Sequence, residues 1–287
     1  MKSRTDDVER MTMTAPLLCD AHTHVWPDKI AAKALAGRVD FMEPEFDGTV
    51  AGLTRTLDRA GISRCVVMGI ADEAKYLHRT NEFIGGLRSE RLVPFGTIHP
   101  DLPVEENIDS LRSNGVVGIK LHPLFQRFRL DDERLLAILD ALGDEFPVIA
   151  HVGKGGVPET DQLATPAMLA AIIDQLPRLR LMATHFGGFH RLEEVEEHVI
   201  GRNVVLETSW PPTLRALGKE RVVDLIRRHG VHRVVFGSDW PMSNPTECMD
   251  VIRDLGLEPD EVDAVLGRNL DRWLDGVRIE QPLEKRS

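Results

Sequence analysis

Thiols, basic charge and long apolar runs are all scarce in this chain of 287 residues, and each scarcity removes a class of protein. The three cysteines, Cys19, Cys65 and Cys248, are far apart and odd in number, which excludes a disulfide framework or a Cys-rich metal knuckle. Reduced, buried thiols in a cytoplasmic protein are the expectation. Lys and Arg total 35 against 46 Asp and Glu, a net charge of -11, and no basic stripe interrupts the acidic field. That charge repels a phosphate backbone, so nucleic acid is not an expected partner. Nowhere does the chain hold the run of about 18 apolar residues that a membrane span needs. Residues 1–14 are polar and charged, without the apolar centre of a signal peptide, and read as a flexible extension. Low-complexity tracts, short-period repeats and Ser/Gly-rich linkers are missing too, so nothing marks a boundary between domains.

What the chain does hold is an alternation of strand-like and helix-like runs. The first apolar run, Ala15 to Leu18, leads into Asp20-Ala21-His22-Thr23-His24. Helical patterns follow over 28–37 and 49–60, then a strand over 63–70, a helix over 73–89 and a strand over 91–98. A helix over 103–113 leads to a strand over 116–121, and Asp131-Asp132 opens the next helix with charges that suit its N-terminus. Further strands fall at 147–152, 179–184, 204–207 and 233–237, separated by helices near 165–176, 190–200 and 213–229. Extra helices near 246–255 and 259–274 and a tail over 276–287 complete the chain. Eight strands, each followed by helix, predict an α/β fold of the (β/α)₈ TIM barrel kind, a single domain over residues 15–275. A doubly wound open sheet would place a Gly-rich phosphate loop after its first strand, where this chain has His22-Thr23-His24.

In such a barrel the active site lies at the C-terminal ends of the strands. The polar residues found there are His22, His24, His99, Lys120, His122, His151, His185, Glu207 and Asp239. Strand alternation puts Asp20, His22 and His24 on one face, pairs Ile149 with His151, Ala183 with His185 and Gly237 with Asp239, and places Val116, Gly118, Lys120 and His122 together. The seventh strand is too short to decide whether Glu207 faces the site. Any one histidine is readily a core or loop residue, whereas six of 11 at strand ends are a pattern. Imidazole and carboxylate without cysteine suit Zn²⁺ or another divalent transition metal.

Asp20-x-His22-x-His24, Gly118-Ile-Lys120-Leu-His122-Pro123, His151-Val-Gly153, His185-Phe-Gly187-Gly188 and Phe236-Gly237-Ser238-Asp239-Trp240-Pro241 together resemble the amidohydrolase superfamily. The similarity is to its amidohydrolase-2 branch of predicted hydrolases, lactonases and aminocarboxymuconate-semialdehyde decarboxylase-like enzymes, in order over about residues 18–274. The resemblance implies that His22, His24, His151 and Asp239 bind a catalytic metal, with His185 as acid/base and Asp239 as ligand and base together. It also implies two readings of Lys120: carbamylated and bridging a second metal, or an unmodified cation that holds a substrate carboxylate or pairs with Asp239. His122 either orients the loop or contacts substrate. Trp26 and Trp210 are placed to wall the pocket mouth and Trp240 to pack within its loop, while Arg127 and Arg129 are candidates to meet an anionic substrate. Relatives of this kind are often homodimers.

The expected activity is a metal-dependent hydrolysis in which metal-activated water attacks a carbonyl of a small lactone, ester or amide, with a carboxylate on the substrate. The alternative on the same scaffold is non-oxidative decarboxylation of an unsaturated or aromatic carboxylic acid. A TatD-type nuclease is disfavoured by the acidic charge, by Lys120 in place of a metal-binding Glu and by Ser238-Asp239-Trp240 in place of Glu-Thr-Asp. A metal-free binding barrel would show lost ligands, and every expected ligand is present.

Overall fold

The computed structural model describes residues 17–36 and 43–275; the expected N-terminal extension, the tail and the Gly37 helix end lie outside the described residues. Eight parallel strands follow one another around a single sheet in chain order. They are β1 (Cys19–His24), β2 (Arg64–Met68), β3 (Leu92–Gly96), β4 (Gly118–Leu121), β5 (Val148–Ala150), β6 (Leu181–Ala183), β7 (Val205–Glu207) and β8 (Val234–Val235). The sheet closes where the Ala21 amide donates to Phe236 O at 2.9 Å and the His24 amide to Trp240 O at 2.7 Å. The result is the expected (β/α)₈ barrel in a single domain.

Around it run α1 (Asp28–Ala36), α2 (Val50–Ala60), α3 (Leu77–Gly85), α4 (Val104–Ser113), the one-turn α5 (Pro123–Gln126), α6 (Glu133–Leu142), α7 (Pro166–Gln175), α8 (Leu192–His198) and α9 (Lys219–His229). After β8 come α10 (Pro245–Arg253), α11 (Pro259–Asp263) and α12 (Asn269–Leu274). Local chemistry sets their starts: the Thr49 hydroxyl accepts from the Gly52 amide, and the Asp132 carboxylate from the Arg134 amide. Two expected helices are broken. The stretch 213–229 is interrupted at Gly218, whose φ of 79° cannot continue a helix, and 259–274 carries a π-helical turn over Ala264–Arg268. Among the described residues no helix is long and apolar enough to cross a membrane.

Two apolar layers decide which way each strand residue faces. Cys19, Ala21, Val66, Met68, Val93, Phe95, Val117, Ile149, Met182 and Val235 fill the barrel's lower interior, where Leu270 and Leu274 of α12 close it. Cys65, Val67, Ile119, Leu121, Ala150, Ala183, Leu206 and Phe236 pack outward among the helices. This sorting corrects three parities expected from sequence. Val117, not Val116, faces the interior, because β4 begins only at Gly118. Ala183 faces the helices, so His185 reaches the site by the turn after β6 and not by strand alternation. In β1 the register shifts between Asp20 and Thr23, and Asp20 departs from the face of His22 and His24.

Candidate metal centre

At the C-terminal rim, β1 carries His22 and His24, both almost fully buried, and the turn after β8 carries Asp239. The Nε2 atoms of the two histidines lie 3.1 Å apart, and they stand 3.2 and 3.6 Å from Asp239 Oδ1. Donors held about 2.0–2.1 Å from a common tetrahedral ion would be spaced by roughly 3.3–3.4 Å, so this triangle has the size of one ligand face. Two neutral imidazole nitrogens and a carboxylate oxygen are also the donor chemistry of a divalent transition metal. The residues present therefore fit such an ion. Both Asp239 and His185 have left-handed backbones, with φ of 61° and 57°. Non-glycine residues adopt that region at a cost, and such strain is concentrated at functional sites.

Buried carboxylates hold this rim from behind. Asp20 accepts from the Ser238 hydroxyl at 2.6 Å, the Ser238 amide at 3.0 Å and the His22 amide at 2.9 Å. It thereby ties β1, with its two histidines, to the turn that presents Asp239. Burial pushes the Asp20 carboxyl up to about 7, against the pull of its Ser238 and His22 hydrogen bonds. Glu207 is wholly buried and faces the barrel interior, as its neighbours show: Val205 packs on the inner layer and Leu206 on the outer. Its Oε2 lies 2.9 Å from His22 Nδ1, and burial raises its pKa as well. Beyond it, Ser209 Oγ is 2.9 Å and Ser209 O 3.2 Å from His185 Nδ1. With Nδ1–H donating to that carbonyl, His185 keeps Nε2 for proton exchange.

The remaining expected residues divide into those gathered at the site and those that stand apart. Lys120 is fully buried, with Nζ 3.4 Å from His22 Nε2. Among the described residues, the donor groups that converge within 4.8 Å are His22, His24 and Asp239, and His22, His185 and Glu207; no group of three includes His151. The His151 ring instead stacks on His122 at 4.2 Å and meets His185 edge-on at 5.0 Å. His122 is sandwiched, with Phe125 on its other face at 4.0 Å. Trp26 lies 6.2 Å from the His24 ring. Trp210 meets Phe189 edge-on at 5.1 Å, and Phe189 lies 5.1 Å from His185. Trp240 is entirely buried beside Phe46, as loop packing requires. Arg127 is exposed, and exposed Arg129 makes a two-pronged ion pair with Asp131. His99 belongs to a neighbouring loop, where its Nδ1 accepts from the Asp101 amide at 3.3 Å. Sequence reasoning left Glu207 undecided and missed Ser209; the one available signal was a Glu-x-Ser pair at the end of a short strand.

A (β/α)₈ barrel with two histidines of one strand and an aspartate of the last gathered at its C-terminal rim defines a metal-site enzyme scaffold. The chain belongs to the amidohydrolase family, whose model matches residues 19–275. No match is found among curated proteins. Among solved structures it is similar to 5-carboxyvanillate decarboxylase from Sphingomonas paucimobilis, at 14% identity and a TM-score of 0.68, covering 90% of this chain and 99% of that one. A protein from Pseudomonas putida described as a 2-pyrone-4,6-dicarboxylic acid hydrolase is 18% identical, with a TM-score of 0.61 over 93% of this chain and 100% of its own. A dihydroxybenzoic acid decarboxylase from a Polaromonas species, with bound manganese and the inhibitor 2-nitroresorcinol, is 14% identical, with a TM-score of 0.68 over 92% of this chain and 98% of its own.

Proposed function

We propose that the chain is a metal-dependent hydrolase of small lactones, esters or amides that carry a carboxylate. The observation that carries this reading is the triangle of His22 Nε2, His24 Nε2 and Asp239 Oδ1, with edges of 3.1, 3.2 and 3.6 Å, beside buried Lys120. These three residues would hold the ion, with His151 as a fourth ligand. Zn²⁺ suits imidazole and carboxylate donors without thiolate. When bound, the ion supplies a Lewis acid that polarises a carbonyl and acidifies water. Asp239 takes the proton of the attacking water, and His185 Nε2 returns a proton to the leaving oxygen or nitrogen. Lys120 holds the substrate carboxylate as an unmodified cation, in keeping with the two similar structures that are decarboxylases of aromatic acids. Trp26, Trp210, Phe125 and Phe189 surround the rim with apolar area that excludes water around the reacting groups. Three free cysteines are in keeping with a reducing compartment such as the cytoplasm.

The second reading is decarboxylation of an aromatic or unsaturated acid, favoured by the two decarboxylases among the relatives. In it Lys120 orients the carboxylate and His185 or Asp239 delivers the proton that replaces carbon dioxide. The test is a panel of lactones, esters, amides and aromatic carboxylic acids, with ring opening and carbon dioxide release recorded separately. Hydrolysis without gas release supports the first reading. Stoichiometric carbon dioxide release overturns it in favour of the second.

A further inference from the structure

We infer that Glu207 is a positioning residue that fixes the tautomer of His22 and thereby sets the metal affinity of the site; the inference rests on the metal reading above. Apart from His22 Nδ1, the partners of its carboxylate among the described residues are all donors: the His185 amide, the Ser209 amide and the Ser209 hydroxyl. Oε2 is met by His22 Nδ1 at 2.9 Å, Ser209 Oγ at 2.8 Å and the His185 amide at 3.3 Å. Oε1 is met by the Ser209 amide. A fully buried carboxylate in that setting requires His22 to carry its proton on Nδ1 and to turn the Nε2 lone pair towards His24 and Asp239. The reverse tautomer would set a lone pair against an anion and an N–H against the metal position. One side chain thus orients His22 directly and, through Ser209, His185.

The backbone reserves space for this group. A Cβ added at Gly237 would stand 2.3 Å from Glu207 Oε1 and 2.6 Å from its Cδ, so the glycine of Phe236-Gly237-Ser238-Asp239 is the cradle in which the carboxylate lies. Glutamine has the same shape but the wrong chemistry. With its NH₂ at the Oε2 position it opposes His22 Nδ1–H, and with its NH₂ at the Oε1 position it opposes the Ser209 amide. Glu207→Gln therefore tests tautomer control with little change of volume, and Glu207→Asp restores the charge one methylene short.

Two measurements decide the matter. Nitrogen-15 NMR of the metal-free protein, with His22 assigned by loss of its signals in His22→Ala, reads the tautomer directly. The wild type is expected to be protonated at Nδ1 and Glu207→Gln to shift towards Nε2–H. Competition with a zinc chelator is expected to show affinity 10–100-fold weaker in Glu207→Gln, with partial recovery in Glu207→Asp. A wild-type His22 protonated at Nε2, or equal zinc affinity in wild type and Glu207→Gln, overturns the inference. A wild type that holds the Nδ1 tautomer and binds no metal overturns the metal reading instead, so the two failures are distinct. Circular dichroism separates loss of affinity from loss of fold.

Discussion

At the scale of single residues, both side chains proposed to move protons sit in left-handed backbone, as do Arg127, Phe186 and His190. His185 and Asp239 carry φ of 57° and 61°, a burden of about 1–3 kcal/mol each that the surrounding packing sustains. Their division of labour with the β1 histidines leads to a paired prediction. His22→Ala removes one corner of the ligand triangle and is expected to lower metal content. His185→Ala is expected to spare the metal and to reduce turnover by roughly 10²–10⁴-fold, the usual worth of a general acid or base. Metal analysis and steady-state kinetics on both variants check this; equal metal loss in the two would make His185 a ligand. The histidines and Asp239 were legible because strand ends are where a barrel puts its chemistry. Glu207 was not, since three residues of β7 give too little alternation to show which way a carboxylate points.

At the scale of elements, β2 to β8 are each shorter than the strand run read from the sequence. The run 179–184 yields a strand of only Leu181–Ala183, and the residues after it turn by irregular backbone to bring His185 inward. Strict alternation fails at such points, so it gives the wrong facing for Ala183 in β6 and for Val116 and Val117 before β4, and the right one for Ile149 in β5. The loop after β5 shows what the turns demand. Gly153 has φ of 115°, and a Cβ there would stand 2.2 Å from the Phe189 amide nitrogen. Gly153→Ala is expected to cost roughly 3 kcal/mol or more in denaturant unfolding, from strain and backbone collision together. Unchanged stability would show that the loop moves aside freely.

The end of α9 supplies a pH prediction. His229 is fully buried, its Nε2–H donating to Val204 O at 2.8 Å and its Nδ1 accepting from the Gly201 amide at 3.2 Å. Burial lowers its pKa from 6.5 to about 4. Between those values the unfolded chain binds a proton that the folded one refuses, so stability rises with pH there. The contribution is complete above about 6.5 and is lost as pH falls towards 4, amounting to roughly 3 kcal/mol over that range. His229→Gln is expected to flatten the decline in unfolding free energy over this window; an identical slope in the variant would contradict it.

At the scale of the whole molecule, sequence order alone carried the architecture, because eight consecutive strand and helix patterns leave few other ways to bury every strand on both faces. The acidic charge and the rim of imidazoles are the grounds on which a small-molecule substrate is proposed. The β1 histidines and the aspartate after β8 meet only because the barrel closes between its first and last strands, with Asp20 bonded to Ser238 across that seam. The proposed activity requires this seam to hold a divalent metal. The direct measurement is elemental analysis of purified protein before and after exhaustive chelation, followed by reloading with Zn²⁺ and by a titration of His22→Ala alongside. A single ion per chain, lost with activity on chelation, restored with it on reloading and weakly held by the variant, is the expected result. A protein that takes up no divalent ion, or that keeps full activity once stripped of it, would contradict the account.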